Sequence, residues 1–268
     1  MNGDKIEENL KEVKHKIAVM SGKGGVGKST VAANLAIALS MRGDRVGLLD
    51  SDIHGPTIPK LFGIQDEKLN PSGSGAGISP VMVSGNLGIV SMGFLLEKDV
   101  PVIWRGPLKM KAIEQFLEEV VWGKLDYLII DLPPGTGDEP LSIAQLLPSA
   151  DGAIIVTTPQ EVALVSVRRA ITFARTLNMQ VIGLIENMSG FICPHCGKET
   201  DVFGKGGGEK AAEEMGVRFL GSIPLDKRIE ESGEGGKPFV LDENPSTLTK
   251  KLEEIAERLE SVLGGDGR

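Results

Sequence analysis

The chain has 268 residues, 41% of them hydrophobic and 25% charged, with a formal net charge of -8. That length supplies the core of one large α/β domain, and the acidic balance argues against broad nucleic-acid binding, which needs a basic surface to displace counterions. No apolar run approaches the about 20 residues of a membrane span, and residues 1–14 are polar with no apolar segment resembling a secretory signal, so the expected setting is cytoplasmic, with neither a nucleic-acid nor a membrane partner.

Residues 1–15 are expected as a short polar extension. The first strong strand is 16–20, a short apolar run that ends at a glycine-rich loop. A helix follows from Lys28 to about Met41, with Val31, Leu35, Ala38 and Leu39 on one side and Gly43 as its stop. Residues 45–49 form the next strand, with Asp50 and Asp52 just beyond its C-terminal end. Residues 71–79, rich in Gly and Ser, read as a loop, and 81–92 alternate around Gly85-Asn86 as a hairpin does. The strand–helix rhythm then repeats. A helix is expected at 108–121 and a buried strand at 127–130, leading into Asp131-Leu132-Pro133-Pro134-Gly135. Strands at 152–157 and 181–185 flank a helix at about 162–177, and 217–223 is the last core strand. In the tail, Leu248, Leu252, Ile255, Leu259 and Val262 share one helical face. The acidic residues Glu253, Glu254, Glu257 and Glu260 outnumber Lys250, Lys251 and Arg258, which favours packing on the core over a membrane-surface anchor. Residues 264–268 are expected as a flexible tail. The reading is a single α/β domain over 16–263, a mostly parallel twisted sheet with helices on both faces, whose ligand crevice lies at the C-terminal ends of the strands.

The loop Gly22-Lys23-Gly24-Gly25-Val26-Gly27-Lys28-Ser29 satisfies G-x-x-x-x-G-K-[ST] between a strand and a helix, which marks a P-loop NTPase. Its glycines let backbone N–H groups turn toward phosphate oxygens without Cβ clashes, and the helix N-terminus adds partial positive charge. Lys28 neutralises the β- and γ-phosphates, and Ser29 offers a hydroxyl to Mg²⁺. No Asn-Lys-x-Asp signature for guanine is present, so the expected nucleotide is ATP.

The two cysteines, Cys193 and Cys196, lie two residues apart in Cys-Pro-His-Cys-Gly, a metal knuckle by its chemistry. A tetrahedral zinc site or a cubane cluster takes about four protein ligands, and the chain supplies two thiolates, with His195 inside the turn and His15 and His54 remote in sequence. Two copies meeting near a two-fold axis would complete a four-thiolate site shared by a homodimer. A redox dithiol and a knuckle without metal remain alternatives.

Lys23, directly after the first glycine, makes the loop resemble the deviant Walker A loop of the partition, septum-placement, arsenite-pump, nitrogenase-iron-protein and cluster-carrier ATPases. Together with 49–57, Trp104-Arg105-Gly106-Pro107, 122–138 and Asn187-Met188-Ser189 ahead of the cysteine knuckle, the chain resembles the Mrp/ApbC branch, the iron–sulfur cluster carrier ATPases. The resemblance covers about residues 16–237. It implies that Lys23 reaches the partner's phosphates, that Asp52 positions the attacking water and that Asp50 supports the Mg²⁺ shell. Asp131 looks like the Walker B aspartate on Mg²⁺, and residues 133–138 resemble the loop that senses the γ-phosphate. Thr30 closes the phosphate loop, and Asn187 and Pro224 stand where relatives contact adenine. The implied function is an ATP-hydrolysing carrier or scaffold that holds a [4Fe–4S] cluster on Cys193 and Cys196 across a homodimer and passes it to apoproteins, with slow hydrolysis coupled to transfer. The alternatives are a zinc-bridged targeting ATPase for hydrophobic segments and a partition or positioning ATPase. Some relatives carry a further small domain or a four-cysteine motif before the P-loop; the chain shows neither, which matches a minimal carrier.

Overall fold

The apolar run before the glycine-rich loop forms β1 (Val13–Ser21), which begins three residues earlier than the sequence suggests. The computed structural model describes residues 2–73, 77–95, 106–147, 150–193, 196, 198–238, 240 and 247–265. Ahead of β1 lies a helix, α1 (Asn2–Asn9). The short polar extension thus carries a helix that docks on the domain: Ile6 and Leu10 are buried, and the Asn9 side-chain amide donates to the carbonyls of Leu117 and Val120 at 2.8 and 2.9 Å. Burying two such side chains contributes roughly 1.5–3 kcal/mol each, enough to fix a short helix that has little stability alone.

The strand–loop–helix unit continues into α2 (Lys28–Met41) and β2 (Val46–Asp50), followed by the short α3 (Ile58–Leu61). In the stretch expected as a loop, β3 (Asn70–Pro71) pairs with β4 (Ile78–Ser79); residues 74–76 lie outside the described residues. The hairpin around Gly85-Asn86 is β5 (Val81–Ser84) and β6 (Leu87–Ser91), antiparallel. Then come α4 (Gly106–Glu119), β7 (Leu125–Asp131), α5 (Asp138–Gln145), β8 (Gly152–Thr157) and α6 (Glu161–Thr176). The chain ends with β9 (Val181–Ile192), β10 (Glu199–Thr200), α7 (Gly207–Met215), β11 (Phe219–Leu225), α8 (Lys227–Gly235) and α9 (Thr247–Leu263).

The main sheet runs β9-β8-β1-β7-β2-β6-β5, with β11 beside β9 and β10 at the far end of β9. Neighbours from β6 through β11 pair in parallel, whereas β5 and β10 are antiparallel additions. Both faces are covered, so the strands carry continuous apolar runs whose alternate residues enter different cores. Ile17, Val19, Leu48 and Ile129 pack with α2 and α9 on one face, and Ala18, Met20, Leu49 and Ile130 pack with α1, α4 and α5 on the other. Leu248, Leu252, Ile255 and Leu259 of α9 are buried in the first of these cores, so the amphipathic tail helix packs on the sheet. Register places Asp50 of β2 beside Asp131 of β7, and Asp131 beside Val19 of β1. Two acidic residues and the start of the glycine loop therefore leave the sheet at one edge.

Candidate functional site

The glycine loop is shaped by close contacts as much as by turns. Gly25 and Gly27 have φ of 78° and 79°, a left-handed region that disfavours any side chain. A Cβ on Gly27 would lie 2.2 Å from the Asn187 Nδ2, and one on Gly22 would lie 2.1 Å from the Ser166 carbonyl oxygen. Asn187 Nδ2 in turn donates to the Val26 carbonyl at 2.9 Å, so β9 braces the loop from behind. Gly27 is the N-cap of α2 and carries no side-chain cap, which leaves the first-turn N–H groups of Lys28, Ser29 and Thr30 turned toward the cavity for an anion.

Lys28 Nζ donates to Asp131 Oδ1 at 2.5 Å, with both side chains nearly inaccessible. Burial raises the Asp131 carboxyl above its ordinary range, against the pull of Lys28 and a hydrogen bond from Ser29. Among the described residues its buried Oδ2 has no hydrogen-bond partner. An orphaned carboxylate oxygen beside the Ser29 hydroxyl is a hard-oxygen donor set of the kind Mg²⁺ takes, so these residues fit the cation. Asp50 lies deeper. It accepts from Ser91 Oγ at 2.9 Å, from the Asp52 N–H at 3.2 Å and from the Ile58 N–H at 3.3 Å. Burial, then the nearby Asp131 charge, push its carboxyl up to about 8. The hydrogen bonds aim Asp50 at the loop that carries Asp52, a supporting position. Asp52 Oδ1 accepts from the N–H groups of His54 and Gly55, each at 3.1 Å, which fixes the carboxylate at the cavity wall.

Of these residues Lys28, Ser29 and Asp52 line one cavity of about 850 Å³, whereas Asp50 and Asp131 are fully buried and lie outside its lining. The phosphate loop from Gly24 to Thr30, Asp52, Pro134, Asn187 and Pro224 all face it. Gly22 and Lys23 do not: Gly22 is packed on α6, and Lys23 stays half-buried at the loop's rim, its carbonyl accepting from Ser21 Oγ. The loop after β7 is tied in by the Gly135 N–H, which donates to the Ser21 carbonyl at 2.9 Å. The sequence reading missed Lys60, Met188, Phe191 and Lys227, which also line the cavity. Met188 takes a left-handed φ of 59°, and α3 and α8, which bring Lys60 and Lys227, carry no local signal strong enough to place them. Asp226 caps α8: it accepts from the Arg228 N–H at 2.9 Å, and the Arg228 hydrogen bond holds its carboxyl below the ordinary range against burial.

The cysteines stand at the end of β9. Ile192 pairs with Glu199 and Phe191 with Thr200, and the Cys193 N–H donates to the Lys198 carbonyl at 3.0 Å, so Cys193 stands at the end of a two-stranded ribbon. Cys193 is half-buried and Cys196 exposed, neither in a disulfide. Among the described residues, no group of three or more His, Cys, Asp and Glu side chains could hold a metal; the described part of one chain offers this site two thiols. Pro194, His195 and Gly197, like Trp104 and Arg105, lie outside the described residues. Behind the ribbon, buried Glu186 accepts from Ser189 Oγ, the Gly206 N–H and the Gly208 N–H.

Residues 12–260 match the family model described as ParA, the NUBPL iron-transfer P-loop NTPase. The chain is 55% identical to the iron-sulfur cluster carrier protein of Methanocaldococcus jannaschii, over 96% of this chain and 89% of that one. It is 49% identical to the protein of the same name from Saccharolobus solfataricus, over 97% and 87%. Among solved structures, a nucleotide-binding protein from Archaeoglobus fulgidus in complex with ADP is 42% identical, with a TM-score of 0.78 over 88% of this chain and 91% of that one. The cell-division ATPase MinD of Pyrococcus furiosus, 24% identical with a TM-score of 0.68 over 93% and 100%, shares the fold. Among the described residues, no helix is long and apolar enough to cross a membrane.

Proposed function

Since the chain belongs to the NUBPL iron-transfer family of ParA-type P-loop NTPases, we propose that it is a cytoplasmic, ATP-dependent iron–sulfur cluster carrier that holds a [4Fe–4S] cluster between two copies of itself and passes it to apoproteins. One observation carries the reading: a single strand, β9, runs from the nucleotide cavity to the residue before Cys193. Asn187 of β9 bonds the phosphate loop, Phe191 lines the cavity, and Cys193 follows two residues later. A change at the phosphate loop therefore has a short path to the cluster ligands, one hydrogen bond to Asn187 and then along β9.

The roles follow from the geometry. The unfilled N–H groups of the loop and the first turn of α2 bind the phosphates. Lys28, now held by Asp131, is positioned to shift its charge onto the β- and γ-phosphates. Ser29 and Asp131 would hold Mg²⁺, which when bound supplies charge neutralisation for phosphoryl transfer. Asp52, fixed by two N–H groups, orients the attacking water. Lys23, outside its own cavity, reaches the phosphates of the second copy, where a cation supplied in trans stabilises developing charge. The cluster is cargo: two thiolates from each copy give the four ligands a cubane takes, and separation of the copies opens it to an acceptor. Hydrolysis is slow because its role is to gate that separation.

The test is transfer. Cluster-loaded protein is mixed anaerobically with an apo [4Fe–4S] enzyme, and recovered enzyme activity is followed with Mg-ATP, with a non-hydrolysable analogue and without nucleotide. The proposal expects transfer whose rate differs between these conditions and is abolished by Cys193→Ala/Cys196→Ala. Transfer at one rate in all three conditions refutes the coupling, and no transfer refutes the carrier role.

A further inference from the structure

Outside the phosphate site, three charged or titratable side chains from three segments converge. His54 Nε2 lies 3.1 Å from Glu139 Oε1 and 2.5 Å from Lys109 Nζ, and Lys109 donates to the same Glu139 oxygen at 2.8 Å. His54 sits in the loop after β2, Glu139 in the first turn of α5, and Lys109 in α4. The Lys109 side chain is only 9% exposed, and a buried ammonium is retained only where it is paired. Burial pushes the Glu139 carboxyl up, but hydrogen bonds and charge from Lys109 and His54 outweigh it and hold the group below its ordinary range.

The position of this cluster gives it a further meaning. The His54 backbone N–H is one of the two donors that aim Asp52. Glu139 follows the loop 132–137, whose Gly135 is hydrogen-bonded to the end of β1. The cluster therefore joins the Asp52 loop to the segment that touches the phosphate loop, and Lys109 anchors both to α4. A small cavity of about 140 Å³, lined by Ser51, Ile53, Lys109, Pro133 and Glu139 among others, lies where the two loops meet. The two loops are tied at their roots, where the Ser51 N–H and Oγ donate to the Asp131 carbonyl at 3.1 and 2.7 Å; the His54–Glu139–Lys109 cluster is a second tie, three residues beyond Ser51.

We infer that His54, Glu139 and Lys109 form a clamp that sets the position of Asp52 relative to the phosphate loop, making all three positioning residues for ATP hydrolysis. The inference rests on the hydrolytic reading above. Because His54 and Glu139 act as one joint, losing either releases the same loop, and losing both costs no more than losing one.

The experiment measures steady-state kcat and KM for Mg-ATP, together with ADP affinity and thermal midpoint, for wild type, His54→Ala, Glu139→Gln, the double variant and Lys109→Arg. The His54 side chain is 63% exposed, so its truncation leaves the fold intact. Misplacing a reacting group by an ångström costs up to about a hundredfold in rate, and a loosened loop is expected to cost about tenfold in kcat. KM and ADP affinity stay within about twofold, since phosphate binding does not use the clamp. The double variant matches the single ones, and Lys109→Arg, which keeps a donor cation, retains most of the wild-type rate. Unchanged kcat in both single variants overturns the inference. So do multiplicative losses in the double variant, or losses that track ADP affinity or thermal midpoint. If wild type binds Mg-ATP yet never hydrolyses it, the hydrolytic reading falls and the clamp with it; if wild type hydrolyses and the variants are unaffected, the clamp alone falls.

Discussion

Replacing Lys28 by Met removes a buried cation while keeping most of its apolar stem. The partner left behind is Asp131, fully inaccessible, with one carboxylate oxygen lacking a hydrogen bond among the described residues and Asp50 beside it in register. Breaking a buried pair from one side costs about 3–5 kcal/mol, a large share of the about 5–15 kcal/mol that stabilises a typical protein. Burial already raises the Asp131 carboxyl, and removing Lys28 takes away the two largest opposing effects, its charge and its hydrogen bond, leaving the hydrogen bond from Ser29. The folded variant then binds protons more tightly than its unfolded chain, so its stability falls as pH rises above the ordinary carboxylate range. The gap between wild type and Lys28→Met therefore widens from acid toward neutral pH. Adding Asp131→Asn removes the stranded charge and returns the double variant to within about 1–2 kcal/mol of wild type, because replacing both partners of a buried pair is close to neutral. Nucleotide binding is absent in both variants. Urea unfolding at several pH values, with nucleotide affinity measured in parallel, checks each part. A Lys28→Met protein as stable as wild type, or a double variant no better than the single one, refutes the reasoning.

Other consequences are as specific. Gly27→Ala forces a side chain into a left-handed φ against Asn187; about 1–2 kcal/mol of backbone strain and about 1 kcal/mol for the lost Asn187–Val26 bond give a loss of about 2–3 kcal/mol in urea unfolding, with weakened ATP binding. Asp226→Ala removes the α8 cap and costs about 1 kcal/mol at neutral pH. Because the folded Asp226 carboxyl is depressed by Arg228, that contribution is present above the ordinary carboxylate pKa and disappears as pH falls through the depressed value, so the two proteins converge in acid. Mixing Lys23→Gln with Asp52→Asn protein, each inactive alone, restores hydrolysis if Lys23 acts on the second copy, because one site of the mixed dimer then has both groups intact; no recovery places Lys23 in its own site.

What could be read from the sequence was local chemistry with a short period. The strand–glycine loop–helix unit, the strand ending at Asp131 and the hairpin at Gly85-Asn86 each carry their signal within about a dozen residues, and each stands where expected. Strand β9 was expected to stop at residue 185, because Glu186, Asn187 and Gly190 interrupt the apolar run. It continues to Ile192 since those polar groups are satisfied from far away, Glu186 by N–H groups of Gly206 and Gly208 and Asn187 by Val26. That extension, which links the nucleotide cavity to the thiols, has no local signature. The His54–Lys109–Glu139 cluster was hidden for the same reason: its members are 55 and 85 residues apart. Helix α1 has no periodic signature in the sequence, because the buried apolar side chains described in and just after it are Ile6 and Leu10.

The central claim is a cluster shared by two copies of the chain, and its most direct test counts atoms and subunits together. After anaerobic reconstitution, iron, acid-labile sulfide and protein are quantified on the species whose mass is measured in solution, for wild type and for Cys193→Ala/Cys196→Ala. The account predicts about four iron and four sulfide per dimer, lost together with the cluster absorption in the variant. One zinc per dimer with no sulfide, or a full cluster on a monomer, would contradict it.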